Sequence, residues 1–441
     1  MPSIVSRVLV VSRDQVRSRM AAPGIRLAEI SRYLASAGND VTLALPHEPE
    51  LSLSGVSQVF AGEKEVGELA RATDVAVLSG AGHHLMPLPQ IPRTVPTVID
   101  LSFPVVLEVL AVPQRPRSIW PPATPPAQLV DRLVHYLRDG DFLMCASQDQ
   151  RNLYLGCLLI LGRFDEQTLR SDPTLHDLLS IVPFGCPPTP PNRTGPGPRE
   201  RIDGIRRDDF VLLWSGGLGD WYDPEVVVRA VARAAPRVPN LKLVVIGARS
   251  GIEHLPETAT SAAVRALAGE LHVLGRHVFF HDEWVPYDSR ADWIEDADVA
   301  VIASHPSLES DIAVRTRFLD YVWCTTPVLC TRGGAYADLV ERRQLGMVVS
   351  PGDVSAMADA IVTMADRNLR SGMKERLSSL RPELAWPHVL KPLLEFCAHP
   401  RVAPDRALSR PPAGRTPQPG LERQVTEPTR LKDRLAARLR R

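Results

Sequence analysis

The chain has 441 residues, 44% apolar and 23% charged, with a formal net charge of zero. That length exceeds one ordinary core and predicts two domains and a tail. The neutral balance excludes an electrostatic case for nucleic acid, and the lack of any run of about 18 apolar residues excludes a spanning helix.

Ser6 to Val11 reads as a first parallel strand, with no signal-peptide organisation before it, so a cytoplasmic chain is expected. Six cysteines without C-x-x-C or metal spacing read as buried thiols in a reducing compartment. Ile25, Ala28, Leu34 and Ala35 form a helical stripe, Gly38-Asn39 closes it, and Val41 to Leu45 is the second strand. This βαβ pattern predicts a doubly wound sheet. No G-x-G-x-x-G follows the first strand, which argues against a dinucleotide oxidoreductase.

Pro23-Gly24 lies in the first strand-to-helix loop, where such sheets open to ligands, and Arg26 opens the helix. Gly24 suits close approach of a ligand or simply a turn. Ala72 to Leu78 and Thr97 to Leu101 predict further strands, with Asp100 at a carboxyl edge. His83, in a loop with His84, is either an acceptor contact or a surface histidine. Pro113 to Pro126 is a Pro-rich excursion, read as a loop over the cleft or an arm. Phe142 to Ser147 is a strand that ends at Ser147, where the residue either caps a helix or faces an acceptor. Cys186 to Arg199 reads as the interdomain linker.

Phe210 to Trp214 starts a second sheet and runs into a Gly-rich loop with Gly216 and Gly217, whose amides suit a phosphate. No G-K-[ST] follows, so it is not a P-loop. Trp284 and Val285 lie in a loop after the strand Val278 to Phe280. Val299 to Ile302 is a buried strand, 304 to 311 a loop, Val314 to Trp323 a helix, and Val328 to Cys330 the next strand. Ser261 to Leu274 and Val354 to Met364 are also predicted helices, the second capped by Asp353. Arg315 and Arg317 fall in or near the first turn of their helix, where a cation opposes the macrodipole at roughly 0.3–1 kcal/mol. An anion such as a diphosphate removes that conflict; an Arg317–Asp320 pair on a solvated face is the plainer alternative.

This stretch resembles the donor half of GT-B glycosyltransferases of family 4 type, in a branch with the pattern E-T-R-x-x-x-R-T-R-x-L-D-Y. Glu309, Arg315-Thr316-Arg317, Leu319, Asp320 and Tyr321 match it. Other motifs of the branch match too: M-A-G-P-x-I-R at Met20 to Arg26, with Ala22 in place of one Gly, G-G-x-x-x-W-x-D-P at Gly216, Gly217, Trp221, Asp223 and Pro224, and the run DFLMCASQDQRNLYLGCLLILGR. The resemblance covers roughly residues 6–375. Glu309 stands eleven residues before Asp320, farther than the family's usual glutamate pair, and Asp311, Ile312 and Ala313 replace its usual arginine and aromatic residues.

The resemblance implies an α/β GT-B fold of two Rossmann-like domains. The acceptor domain is expected over 1–190, a linker over 191–207, the donor domain over 208–375, a closing helical segment over 376–398, and a disordered Pro/Arg-rich tail over 399–441. It implies a metal-independent, cofactor-free glycosyltransferase that uses a nucleoside-diphosphate sugar, with retention, on a glycan or lipid-linked acceptor. Glu309, Arg315 and Arg317 become the candidate catalytic residues. Gly216, Gly217, Trp284, Val285, Asp320, Gly24 and Arg26 become donor contacts, and His83, Asp100 and Ser147 acceptor-side residues. The basic segment Leu431 to Arg441 suits an anionic membrane face or a docked partner, a solvated tail being the simpler reading. A degenerate protein that binds a nucleotide sugar or a partner without turnover stays open as the alternative.

Overall fold

The computed structural model describes residues 5–80, 88–111, 125–247 and 259–407. Met1–Ala403 forms one compact unit and Pro404–Arg441 a second, of which the single turn Pro404–Ala407 is described.

The first unit contains two all-parallel sheets. One has seven strands: β1 (Arg7–Val11), β2 (Asp40–Leu45), β3 (Val56–Phe60), β4 (Val75–Ser79), β5 (Thr97–Asp100), β6 (Phe142–Cys145) and β7 (Leu179–Ile181). Their order is β3-β2-β1-β4-β5-β6-β7. The other has six: β8 (Phe210–Trp214), β9 (Leu241–Ile246), β10 (Val278–His281), β11 (Val299–Ile302), β12 (Val328–Thr331) and β13 (Gly346–Val349), in the order β10-β9-β8-β11-β12-β13. The central strands are aliphatic and buried along both faces, as helices on each side of a parallel sheet require. Strand order reverses between β1 and β4 and between β8 and β11, so the loops after β1, β8 and β11 open at the two switch points.

Three elements depart from expectation. Strand β3 carries no apolar run; it is a half-exposed edge strand fixed by pairing with β2 from Val41↔Val56 to Leu45↔Phe60. The predicted helix from Ser261 to Leu274 instead spans Ala259–Glu270, because His272 takes a left-handed φ of 54°. The predicted helix from Val314 begins only at Arg317, and the expected loop before it contains the short helix Leu308–Ile312. Ser307 caps that helix through Ser310 N (3.1 Å), and extended backbone at Ala313 ends it. The helix Val354–Met364 forms as read, with Asp353 Oδ1 accepting from Ala356 N (2.9 Å).

The last helices return to the first sheet. Cys186 pairs with Ala385, and Cys186 N donates to Leu384 O (2.8 Å). Trp386 is buried against Tyr33 and Phe184, Phe396 stacks on Phe142 (4.8 Å), and Ser6 Oγ donates to Cys397 O (2.7 Å). Gly185 is obligatory there, since a Cβ would stand 2.6 Å from the Trp386 ring. This closing segment packs residues 385–397 onto the first sheet through apolar burial.

Candidate donor site at the second switch point

Strand β8 ends at Trp214, and the chain turns sharply at Gly216, whose φ of +98° suits glycine. The loop then rises to Tyr222 and Asp223, which caps the helix Pro224–Ala234 through Val226 N (3.1 Å). A bridge between Tyr222 and Ser304, with Asp223 N donating to Ala303 O (2.9 Å), zips this loop to the end of β11. The two loops at the switch point therefore form one surface.

Arg317 lies across that surface. Its Nη2 donates to Gly217 O (3.0 Å), and its guanidinium stacks over Tyr222 (4.2 Å) and Trp214 (5.3 Å). Its Nη1 is enclosed and has no hydrogen-bond partner among the described residues. A buried guanidinium nitrogen without an acceptor is costly, and an anion at the Gly216–Gly217 turn would supply one. Tyr321, one turn along the same helix, bonds to Ser215 (2.8 Å) and fixes the helix against the turn.

Arg315 is held differently. Its two terminal nitrogens donate to the two oxygens of Glu309 (2.7 Å each), and Nη2 also reaches Ser310 Oγ (3.2 Å). Burial opposes the Arg315 charge, but the Glu309 bonds, with Tyr222 and Glu108, outweigh it and raise the pKa above the usual arginine value. The Glu309 side chain has 0% exposure. Its carboxylate faces Arg315 rather than an open pocket, because the short helix Leu308–Ile312 turns it inward. Arg315 also lies over Tyr222 (5.1 Å), so the two arginines share one ring.

Asp320 faces away from that ring toward Arg290, which donates to its Oδ1 (2.8 Å). Arg290 is stacked on Tyr287 (3.6 Å) and Trp323 (4.5 Å). Burial opposes its charge too, and Asp320 and Tyr287 more than compensate. Trp284 and Val285 are half-buried in the loop after β10, the far edge of the sheet from β13. Trp284 Nε1 is enclosed without a described partner.

The first-domain expectations fare less well. Arg26 does not face the cleft. It is 0% exposed, and it donates through Nε to Asp100 Oδ2 (2.6 Å), through Nη1 to Pro183 O (3.0 Å) and through Nη2 to Val182 O (2.8 Å). Asp100 is likewise closed off, its other oxygen accepting from Ser102 Oγ (2.5 Å) and Ser102 N (3.2 Å). Both side chains join β5 to the strand exit after β7 and leave nothing for an acceptor. Gly24 meets protein, not ligand: a Cβ there would stand 2.2 Å from Gln15 O. Ser147 is the buried N-cap of helix Gln148–Ile160, accepting from Gln150 N (3.2 Å). His83 lies outside the described residues.

Sequence reasoning missed Tyr222, Arg290 and Glu108. Tyr222 was visible beside Trp221 in the Gly-rich loop, whereas Arg290 and Glu108 carry no local signal. Glu108 sits on the first-domain helix Val105–Ala111, which packs against Leu308–Ile312 of the second domain. Burial, then the charge of Glu309, pushes its carboxyl up to about 7 against the pull of Arg315. Gln150 makes a second link between the domains, donating to Ser102 O (3.0 Å) and Ile312 O (3.2 Å).

Comparison with known proteins bears on the fold that carries this site. Residues 209–367 match the family described as glycosyl transferases group 1. The D-inositol 3-phosphate glycosyltransferase of Kribbella flavida is 25% identical over 229 residues, 48% of this chain and 50% of that protein. The chain thus spans about half the length of the curated relatives it matches. A glycosyltransferase from Rickettsia africae superposes with a TM-score of 0.60 at 12% identity, over 89% of this chain and 98% of that one. Anabaena HepE in complex with UDP-glucose gives 0.60 and 12%, over 89% and 99%. The match over residues 209–367 and the superpositions thus agree on the fold: the chain has the two-sheet GT-B fold, and its second half is similar to glycosyl transferases group 1.

Proposed function

We propose that the chain transfers a glycosyl group from a nucleoside-diphosphate sugar on the second domain to an acceptor hydroxyl on the first. The observation that carries this reading is the enclosed, unpartnered Nη1 of Arg317 beside the Gly216–Gly217 turn. A diphosphate there would accept from that nitrogen and from loop amides. As the acceptor oxygen bonds to C1, the C1–O bond to phosphate breaks and the hydroxyl proton passes to the departing diphosphate oxygen, whose charge meets fixed positive charge. Asp320 would use its second oxygen for the ribose, and the Trp284–Val285 loop would border the base. Arg315 would assist only by sharing itself between Glu309 and the donor. Retention follows the family resemblance.

UDP is the first base to test, because the structural relative HepE is described with UDP-glucose. A phosphorylated polyol, as in the names of the curated relatives, is the first acceptor class to test, followed by polysaccharide and lipid-linked cell-envelope glycans. A cytoplasmic chain, with its basic tail at the inner membrane face, fits such a pathway.

The enclosure of Glu309 favours a second reading, donor binding without turnover. Release of UDP from UDP-glucose, with and without inositol 3-phosphate or glycan acceptors, separates the two. Acceptor-dependent release that disappears in Arg317→Ala supports the transferase. Saturable UDP binding with no release from any donor–acceptor pair supports the binding protein.

A further inference from the structure

A cavity of about 550 Å³ opens between the two domains, beside the linker at Pro187. That volume falls in the range of roughly 300–1,000 Å³ usual for small-molecule sites. None of Gly216, Gly217, Arg317, Asp320, Trp284 or Val285 borders it. One wall is the second half of the helix Ala22–Ser36, which presents Glu29, Arg32, Tyr33 and Ser36. The other is formed by Tyr287, Asp288 and Arg290, with Trp323 from the end of the helix Arg317–Trp323.

The hydrogen bonds of these walls select the ligand. Both arginines are taken: Arg32 Nη1 donates to Glu29 Oε1 (3.0 Å), and Arg290 donates to Asp320 Oδ1 (2.8 Å) and Tyr287 O (2.7 Å). An entering anion would have to compete for guanidinium groups that already hold carboxylates, which disfavours phosphates. Asp288, by contrast, is exposed, and among the described residues it neither pairs with a cation nor accepts a hydrogen bond. The hydroxyls of Tyr33 and Tyr287 likewise have no hydrogen-bond partner among the described residues. The open groups are therefore one carboxylate that accepts and two phenols that donate or accept, beside aromatic carbon. A ligand with several hydroxyls matches them, since each hydroxyl both donates and accepts. It also adds no net charge to walls on which Glu29 and Asp288 balance Arg32 and Arg290.

We propose that this cavity is a second binding site, for a neutral saccharide, separate from the diphosphate turn. Asp288 and the two tyrosine hydroxyls bond the sugar hydroxyls, and a sugar ring lies against the aromatic carbon of Tyr33. The walls belong to both domains and the linker edges the cavity, so an occupied site holds the two domains together. The site does not depend on the reading of Arg317.

Saturation-transfer magnetic resonance on the full chain tests this, with maltose, sucrose and trehalose as neutral probes and glucose 6-phosphate as the charged one. Ser36→Trp fills the cavity from an exposed helix end, and Asp288→Ala removes the open carboxylate. At least one neutral probe should bind wild type and lose its signal in Ser36→Trp. It should bind Asp288→Ala about tenfold more weakly, the scale of one lost hydrogen bond to a charged group. Saturating UDP should leave the wild-type signal in place. Should Ser36→Trp not fold, Asp288→Ala and Tyr287→Phe carry the test. The proposal is overturned if no neutral probe binds, if the variants bind as wild type does, or if glucose 6-phosphate binds more tightly than every neutral probe. Displacement of the probe by UDP would overturn it too, by making the cavity part of the nucleotide site. Saccharide binding that persists in a chain that binds no UDP would count against the transferase reading and leave this site standing.

Discussion

Arg26 and Arg317 stand at the switch points of two similar sheets, yet their surroundings differ in kind. Arg26 has an acceptor for each nitrogen it points inward: Asp100, Val182 and Pro183. Arg317 has a carbonyl at one nitrogen, aromatic faces below, and an enclosed nitrogen with nothing described against it. A saturated buried arginine fastens strands together. On the reading proposed above, the unsaturated one at a glycine turn takes an anion. The same residue type thus has different surroundings in the two sheets, and it is the glycine turn and the shared aromatic ring, together with the unpartnered nitrogen, that support the proposed site at Arg317.

The largest expected effect tests the first half of that contrast. Arg26→Ala strands Asp100 as an uncompensated buried carboxylate and should destabilise by about 3–5 kcal/mol, seen as a lowered urea midpoint. A midpoint near wild type would mean that Asp100 reaches solvent and that the contrast fails. Arg315→Ala should come next, at about 3 kcal/mol, because it strands Glu309 in the same way but in a pair with slight exposure. Arg317→Ala should alter apo stability by about 1 kcal/mol or less while removing about 1.5–3 kcal/mol of nucleotide binding, read by calorimetry. The two glycines sharpen the picture at the small end. Gly216→Ala forces a side chain into left-handed backbone against Arg317 and should cost about 1–2 kcal/mol. Gly217→Ala meets nothing within 4 Å and should stay within about 0.5 kcal/mol of wild type.

The fold was legible in the sequence because buried parallel strands are short aliphatic runs separated by helical stripes. The central strands β1, β2, β8, β11 and β12 all announce themselves this way, while β3, held by pairing rather than burial, does not. The glycine turn was legible too, since a strand-to-helix glycine loop has a local signature. The role of Arg26 was not. Its acceptors lie 74, 157 and 156 residues away, and no spacing rule links them. The same holds for Asp320, whose nearest partner Arg290 comes from a different helix. Glu309 failed for a local reason: Ser307 caps a short helix inside a segment that reads as loop, and the helix turns the carboxylate inward.

The most direct test of the account is thermal stabilisation of the apo chain by UDP, GDP, dTDP and ADP, in wild type, Arg317→Ala and Gly217→Ala. Ligand at 100 times its dissociation constant adds about 2.7 kcal/mol, enough to raise the melting temperature measurably. The account predicts that one diphosphate stabilises wild type and Gly217→Ala and leaves Arg317→Ala unmoved. Equal stabilisation of all three chains, or of none, would contradict the claim that the unpartnered nitrogen of Arg317 marks a diphosphate site.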